Sequence, residues 1–528
     1  MAGKEFNLLQ EPWIRVMRED CSIEEVSLTE ALLHAHSYRG LAGELPTQDA
    51  AILRLLLAVL HAVFEHVNVA GEDTEIENAD DALDHWMELW EYGHFPEDPL
   101  RAYLKAQEEN FWLFHPTKPF WQISNIPAEA SRPQSEPVQK INGAISESGN
   151  KARLFSERGG AEKTTLSNAE AARWLVCMNQ YDDNTLKSGL GVALLGQFAV
   201  IMAQGNTLFE TLMLNFVLLD RDGAPWEKNG SASWEEEIKF DESVRKIAYP
   251  RNPVAILSYH SRYGQLVRKN GKLEGYKSPK GGLCYEQISH NEQMAIWKMD
   301  KKKEKNNLCR SLNRRQVWRE FDSIIANKET YSLLIQWHFE LIRGQCIQKN
   351  IMLRYGFVSI TYDQAQHSSV DNIFSDSLSL HLNLLSELGT SYRQRISDMV
   401  ARCDRIAKRV GILAYDLYLA SGGDKEKKIK LDAAAREHYY FVIDAPFRKW
   451  LASLDAEDTS EAREQKIDAW CKEADAAAWK LAEKLVADAG QSAFIGKMVS
   501  VGNDKKKYYS SSLAMQWFRS GMRNIDRV

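Results

Sequence analysis

Three aspartates have the side-chain type that could hold a divalent cation: the adjacent Asp182 and Asp183, and Asp363. Carboxylate oxygens of this kind bind Mg²⁺ or Mn²⁺ in metal-dependent nucleases. All three lie in polar, loop-like stretches, where carboxylates are most often solvated. The sequence has neither a His-Asn-His arrangement nor the Gly-x-x-x-x-Gly-Lys-Ser/Thr motif of nucleotide-binding loops. Nuclease chemistry is therefore the weakest functional alternative, and we predict no catalytic residue, no metal ion and no cofactor.

A run of basic side chains between residues 262 and 280 suits a second chemistry, the binding of phosphate groups. Its members are Arg262, Arg268, Lys269, Lys272, Lys277 and Lys280. Clustered cations neutralise nucleic-acid phosphates, but a run of this kind is also the usual composition of a solvated protein face. The run alone leaves both interpretations open.

The charge of the whole chain restricts what such a run can do. The 528 residues include 66 Lys and Arg against 73 Asp and Glu, which gives a formal net charge of −7. A protein that coats nucleic acid by itself needs clustered positive charge. We therefore expect any contact with DNA to be local and confined to a few basic segments.

The cysteines and the lack of long apolar runs indicate a cytoplasmic protein without membrane contact. The seven cysteines lie far apart with no Cys-x-x-Cys pair. This spacing predicts reduced, mostly buried thiols. No stretch reaches the roughly 18 uninterrupted apolar residues of a membrane span, and the N-terminus lacks an apolar signal region.

Local patterns before residue 372 predict a large mixed α/β domain. Asn7 to Val16 resembles an opening strand, Ser27 has the side chain of a helix cap, and Ala50 to Phe64 is apolar nearly all round, as in a buried central helix. Prolines and glycines between residues 127 and 165 predict one long, mobile loop. Short apolar runs between residues 250 and 300 predict hairpins of a small sheet. These runs begin at Val254, Gly264 and Gly281.

Beyond about residue 372, apolar residues recur every three or four positions, which is the spacing of amphipathic helices. The candidate helices are Tyr392–Leu417, Ala433–Leu451, Ile467–Leu485 and Tyr509–Ile525. Four such segments predict a four-helix bundle. The predicted fold class is thus α+β, with a mixed α/β domain over residues 1–371 and the bundle over residues 372–528.

Several motifs occur in a fixed order along the chain. They are Asn7-Leu-Leu-x-x-x-Trp13-Ile14-x-Val16, Gly43-Glu44-Leu45-Pro46-Thr47-Gln48, Phe111-Trp-Leu-Phe-His-Pro-Thr-Lys-Pro-Phe-Trp-Gln122, Lys187-Ser188-Gly189-Leu190 and Asn206-Thr-Leu-Phe-Glu-Thr-Leu-Met-Leu-Asn215. In this order, and followed by a helical C-terminal part, they resemble the CasA family, the large subunit of the type I-E CRISPR surveillance complex called Cascade. The resemblance extends over essentially the whole chain.

The resemblance implies a non-catalytic subunit at the 5′ end of a CRISPR guide RNA, with backbone, guide-end-capping and small-subunit proteins as partners. Such a subunit recognises the protospacer-adjacent motif in double-stranded DNA, helps to open the duplex for R-loop formation and helps to recruit the CRISPR-associated helicase-nuclease. The guide reads the target sequence. A helical scaffold without nucleic-acid contact is the alternative, and the acidic net charge fits it.

The resemblance also implies four DNA-contacting sites. They are the long loop with Lys140, Asn142, Lys151, Arg153 and Phe155; a glycine loop before Lys187; a lysine of the small sheet, Lys277 or Lys280; and a hairpin tip with Gln364, Gln366 and His367. Phe155 has the side chain of a wedge between bases, and the amides of the tip suit contact with the first base pair.

The sequence departs from the family at the glycine loop. It has Tyr181-Asp182-Asp183-Asn184-Thr185 there, and two carboxylates repel phosphate. Asn184 remains as a group that can hydrogen-bond a base edge.

Overall fold

A computed structural model describes most of the chain and divides it into two units. The described residues are 3–124, 126, 136–145, 158–182, 191–228, 230–236, 243–262, 264–269, 272–277, 282–300, 305–312, 316–348, 351–362, 370–424, 428–502 and 505–526. The first unit comprises Met1–Arg314, Lys328–Gln348 and Leu353–Ser377, and the second comprises Arg315–Asn327, Lys349–Met352 and Leu378–Val528. The main division thus falls after Ser377, six residues beyond the expected one, and two earlier pieces of chain join the second unit.

Short helices and strands build the chain up to His381. The helices are α1 Leu28–Leu33, α2 Pro46–Phe64, α3 Ala79–Tyr92, α4 Glu97–Ala106, α5 Val138–Ile141, α6 Asn168–Tyr181, α7 Leu208–Leu214, α8 Pro253–Leu257 and α9 Leu333–Arg343. The strands are β1 Glu5–Asn7, β2 Ile14–Met17, β3 Ile23–Val26, β4 Gly40–Leu41, β5 Trp112–Phe114, β6 Glu136–Pro137, β7 Val200–Gln204, β8 Val244–Ile247, β9 Gln265–Lys269, β10 Lys272–Lys277, β11 Gly282–Tyr285, β12 Trp297–Asp300, β13 Lys305–Leu308, β14 Met352–Tyr362 and β15 Val370–His381.

The strands form several small sheets. Among the described residues, three sheets have three strands, in the orders β3-β2-β4, β6-β10-β9 and β15-β14-β7. The pairs β1-β5 and β12-β13 are antiparallel, and β11-β8 is parallel. The predicted α+β class with small sheets is confirmed.

The central helix of the first unit is α2, as the sequence predicts. Pro46 occupies its first turn, where no backbone N–H is needed, and Ala50 to Leu60 are all buried. Its length and apolar composition would suffice for a membrane span, but 89% of its most apolar window is buried inside the protein. Arg54 forms a fully buried ion pair with Glu292 at 2.7 Å and donates to the carbonyl of Ile256 at 2.7 Å. Removing one partner of such a pair leaves the other charge buried and unpaired, which lowers the free energy of unfolding by about 3–5 kcal/mol.

The opening of the chain follows the predicted pattern only in part. Ser27 caps α1 in a reciprocal arrangement with Glu30, which confirms the predicted cap. The single strand predicted over Asn7 to Val16 is wrong. Strand β1 ends at Asn7 and β2 begins only at Ile14, so a turn separates them. In the intervening turn the Asn7 side chain accepts a bond from the Leu9 amide at 2.9 Å, and the Trp13 indole donates to the Leu8 carbonyl at 2.9 Å.

The region from 250 to 300 contains the predicted antiparallel pair β9–β10 but two further expectations there are wrong. The run that begins at Val254 is helix α8, because Asn252 caps it with a 2.8 Å bond to the Val254 amide and Pro253 fits the first turn. The run that begins at Gly281 supplies β11, which pairs in parallel with β8 and so belongs to no hairpin.

In the part of the second unit that the structure describes, four long helices predominate and contact one another. They are α10 Thr390–Ala420, α11 Lys428–Ala452, α12 Ser460–Ile495 and α13 Ser511–Arg523. The predicted apolar positions of α10, from Tyr392 to Leu417, are buried. The helices begin at Thr390 and not near residue 372, since β15 runs on to His381 and a 3₁₀ turn follows. An unpredicted hairpin, β16 Lys497–Gly502 with β17 Lys505–Tyr509, joins α12 to α13.

Candidate nucleic-acid interface

The predicted long loop is anchored to the fold at both of its described parts. Strand β6 pairs with β10, with Pro137 opposite Gly275, and Leu166 forms a bridge with Leu273 of the same strand. Residues 127–165 therefore do not form one continuous loop, because residues 136–145 and 158–165 belong to ordered structure.

Apolar contacts hold the first of these parts in place. Val138 and Ile141 of α5 are buried, at 0% and 6% exposure. Gly143, two residues after α5, packs against Trp174 of α6. A Cβ atom at Gly143 would lie only 2.7 Å from the Trp174 ring. The sequence signal for this anchor was the pair of apolar residues three positions apart among prolines and charges.

Two predicted DNA-contacting residues of the loop lie in this anchored part. Lys140 is half-buried on α5. Asn142 is only 1% exposed, and its side-chain oxygen accepts bonds from the amides of Ala144 and Ile145 at 3.0 and 3.3 Å. The prediction of Asn142 as a phosphate partner is thus replaced by a structural role, since its amide shapes the turn after α5. Lys151, Arg153 and Phe155 lie outside the described residues.

Asp182, which follows α6, has its charge balanced inside the protein. Its Oδ2 accepts a 2.7 Å hydrogen bond from Nε of Arg262, whose side chain is 3% exposed. The expectation of a solvated loop carboxylate is therefore wrong for Asp182, because its charge is paired with Arg262. Arg262 is in turn not part of a basic surface. Asp183 lies outside the described residues.

The same guanidinium holds two backbone carbonyls. Nη2 of Arg262 donates to the carbonyl of Asp182 at 3.1 Å and to that of Gly191 at 2.8 Å. The Ala193 amide donates to the Asp182 carbonyl at 2.8 Å. Asp182 and Gly191 flank residues 183–190, which carry the predicted contacts Asn184 and Lys187 and lie outside the described residues.

A second predicted site begins beside the same arginine. The backbone of Arg262 forms a β-bridge with Gly282, the first residue of β11. The Leu283 amide donates to the carbonyl of Ser261 at 3.4 Å. Gly282 follows residues 278–281, which carry Lys280 and lie outside the described residues.

The strand that leads to the predicted hairpin tip is fixed to the end of α6. Tyr362, the last residue of β14, donates its hydroxyl hydrogen to the carbonyl of Tyr181. Gly196 allows this approach, since a Cβ atom there would lie 2.6 Å from the Tyr362 hydroxyl. The predicted tip residues Gln364, Gln366 and His367 follow Tyr362 and lie outside the described residues.

These contacts bring together chain segments that are far apart in the sequence. We call the residues involved the Arg262 cluster: Tyr181, Asp182, Gly191, Arg262, Gly282 and Tyr362. Each of them belongs to the first unit. Three of the four predicted DNA-contacting sites begin at this cluster, and the anchor of the fourth at Trp174 lies about 10 Å earlier along α6, given the rise of an α-helix.

The basic run of the small sheet is less exposed than its sequence indicates. Arg268 binds Glu5 and Asn168, at 2.9 and 2.8 Å, and lies over the Phe114 ring with 3.6 Å between the guanidinium carbon and the ring centre. Lys277 is half-buried at the end of β10, opposite Gln265. The two arginines of the run are therefore structural, and its lysines remain as candidates for phosphate contact.

The motif residues of the N-terminal part are structural as well. Arg173 of α6 is 2% exposed, and it donates to the Trp13 carbonyl and to the Glu44 carboxylate, both at 2.7 Å. The blocks around Trp13 and Glu44 thus join the start of the chain to α6, the helix that ends at the Arg262 cluster.

Comparison with known proteins gives a consistent result. The sequence model of the CRISPR-associated protein Cse1 family matches residues 7–481. CasA/Cse1 from Thermus thermophilus is 28% identical over 360 residues, which cover 65% of this chain and 64% of that relative, slightly under two thirds of its length.

The solved structures with this fold span nearly the whole chain. Cse1 from Thermobifida fusca has a TM-score of 0.80 at 26% identity and covers 98% of each chain. A chain of a CRISPR RNA-guided surveillance complex has a TM-score of 0.67 at 15% identity, covering 93% of this chain and all of that one. At this identity the second match shows the fold alone.

Proposed function

This chain belongs to the CRISPR-associated Cse1 (CasA) family, and we propose that it is the non-catalytic large subunit of a type I-E CRISPR RNA-guided surveillance complex in the cytoplasm. In this role it recognises the protospacer-adjacent motif in double-stranded DNA and helps to open the duplex beside it. The guide RNA then reads the target by base pairing. The other subunits of Cascade and the helicase-nuclease that cuts the DNA are the partners.

The meeting of three predicted DNA-contacting segments at the Arg262 cluster carries this proposal. Asp182 and Gly191, Gly282, and Tyr362 flank those segments, and each contacts Arg262 or the end of α6. A short motif in duplex DNA spans only a few base pairs, so its recognition needs groups that approach one place from several directions. Local recognition of this kind also agrees with a chain whose net charge is −7.

The ion pair of Asp182, the one candidate metal ligand among the described residues, supports the non-catalytic part of the proposal. The Asp182 carboxylate accepts a bond from the buried Arg262 guanidinium at 2.7 Å. A carboxylate in such an ion pair is a poor ligand for a divalent cation, because the cation and the guanidinium compete for the same negative charge.

Reconstitution of the complex with and without this chain tests the proposal. We would measure gel-shift binding to duplexes that match the guide and carry a randomised flanking motif. The complete complex is expected to prefer a subset of motifs, and omission of the chain is expected to abolish the preference and weaken binding. Equal affinity and equal preference in both preparations would contradict the proposal. A chain that restores assembly without any motif preference would be a scaffold.

A further inference from the structure

We infer that Arg262 is a positioning residue for motif recognition: it holds together the backbone segments from which the predicted DNA contacts extend. The inference rests on the proposed function and deepens it. Arg262 touches no DNA in this account, because its side chain is buried and its Nε and Nη2 donate to groups inside the first unit. It acts by fixing the position of the backbone at Asp182, Gly191 and Gly282.

The bonds of Arg262 go mostly to the main chain. Its guanidinium donates to the carbonyls of Asp182 and Gly191, and its own backbone pairs with Gly282. A bond to a carbonyl fixes the path of the backbone, whereas a bond between two side chains leaves the path free. Arg262 therefore fixes the backbone at Asp182 and Gly191, which flank residues 183–190, and at Gly282, which follows residues 278–281.

Comparison with Arg54, another buried arginine of this unit, separates this role from general stabilisation. Arg54 is 0% exposed and its main partner is the equally buried Glu292, which joins the central helix to the chain before β12. No predicted contact site flanks that pair. Arg262 instead connects segments that the family resemblance assigns to DNA contact.

The chemistry of the cluster requires arginine at this position. One Nε–H bond and two Nη2 bonds reach three separate oxygen atoms, the Asp182 carboxylate and the carbonyls of Asp182 and Gly191. Lysine has a single nitrogen on a flexible stem and cannot reproduce that arrangement. Glutamine loses the charge that balances Asp182 as well as most of the donors.

The test compares variants in the reconstituted complex on three guide-matched DNAs. These are a duplex with a preferred motif, a duplex with a disfavoured motif, and the preferred duplex with its strands already separated beside the motif. Arg262→Gln is expected to lower the preference between the first two DNAs about tenfold, the change that corresponds to one charged hydrogen bond. Binding to the pre-opened DNA is expected to change little, and Arg262→Lys to give an intermediate preference.

Arg268→Gln is the matched control, because it removes an ion pair with Glu5 and a hydrogen bond to Asn168 from a nearby arginine of the same basic run without touching the cluster. It is expected to leave the motif preference unchanged. Equal losses on all three DNAs for Arg262→Gln would show a merely structural role and overturn the inference, as would an unchanged preference.

Two further outcomes keep the inference separate from the proposed function. If Arg262→Gln does not enter the complex, Asp182→Asn is scored in the same way, since it removes the charge pairing but keeps an oxygen acceptor and the Gly191 contact. A reduced preference in that variant supports the inference, and an unchanged one overturns it. If the wild-type chain confers no preference over the complex that lacks it, the proposed function itself fails, whatever the variants do.

Discussion

At the scale of single residues, buried arginines in the first unit act as connectors of the backbone. Arg173 and Arg262 are 2% and 3% exposed, and each donates to at least one backbone carbonyl as well as to a carboxylate. Each bond satisfies a carbonyl that would otherwise be costly to bury. Because these two guanidinium groups are used inside the protein, neither is available for contact with a phosphate.

The close contact between Gly143 and the Trp174 ring gives a prediction on stability. Gly143→Ala places a Cβ atom 2.7 Å from the Trp174 ring and 3.5 Å from Leu45, and Trp174 is 1% exposed. The ring cannot move without disturbing the core, so we expect a loss of about 1–3 kcal/mol in the free energy of unfolding. Thermal unfolding followed by tryptophan fluorescence measures it.

Gly159→Ala provides the matched control for this substitution. It lies in the same predicted loop, but a Cβ atom there has no neighbour within 4 Å. Its melting temperature is expected to stay close to that of the wild type, since exposed substitutions usually change stability by less than about 0.5 kcal/mol. Equal melting temperatures for both variants would mean that the Gly143–Trp174 contact is not tight in solution.

At the scale of secondary-structure elements, periodic patterns and the hairpin β9–β10 were predictable, whereas pairings between distant segments were not. The apolar period of α10 and the all-apolar face of α2 are local properties, and both helices are confirmed. Strand β6 was missed because it has two residues and is defined only by its partner β10. The bond between Arg262 and Asp182 joins residues 80 positions apart, and no local pattern marks it. The candidate contact segments stay predictions from the sequence, whereas no local pattern could have predicted the residue that connects the backbone beside them.

The hairpin β14–β15 carries a prediction at this scale. Truncating its predicted tip, as Gln364→Ala with Gln366→Ala, is expected to impair binding to linear duplex more than binding to DNA whose strands are already separated beside the motif. A wedge offsets the unstacking of the first base pair, which costs a few kcal/mol. Binding to DNA whose strands are already separated does not carry this cost, so the substitution is expected to have little effect on that affinity. Gel-shift titration of the reconstituted complex on both DNAs measures the difference.

Phe155→Ala tests the other location for a wedge by the same comparison. Equal losses on both DNAs would make either site an anchoring contact and not a strand separator. If neither variant changes binding, the predicted positions of the contacts around residues 151–155 and 362–368 are wrong. Lys277, Lys280 and Asn184 then become the positions to test.

At the scale of the whole molecule, the acidic net charge indicates that different components of the proposed complex supply the affinity for DNA and the selectivity between motifs. A chain of net charge −7 offers phosphates only local groups of lysines. In the proposed complex the tight, long contact with the target strand comes from pairing with the guide RNA. This chain then contributes a short contact beside it, where a modest energy decides between motifs.

That division of roles predicts how the isolated chain behaves with DNA. We expect duplex binding weaker than about 1 µM at physiological salt, with log affinity falling against log salt by about 0.9 for each phosphate neutralised. Lys277→Gln, at the end of β10, is expected to reduce that slope by about 1, as for a lysine that contacts a phosphate. Lys480→Gln, an exposed lysine of α12, serves as the control and should leave the slope unchanged. Fluorescence anisotropy over a series of salt concentrations measures both values. Tight binding that salt does not weaken would contradict the account, because it would mean that the chain holds DNA through contacts other than a few local cations.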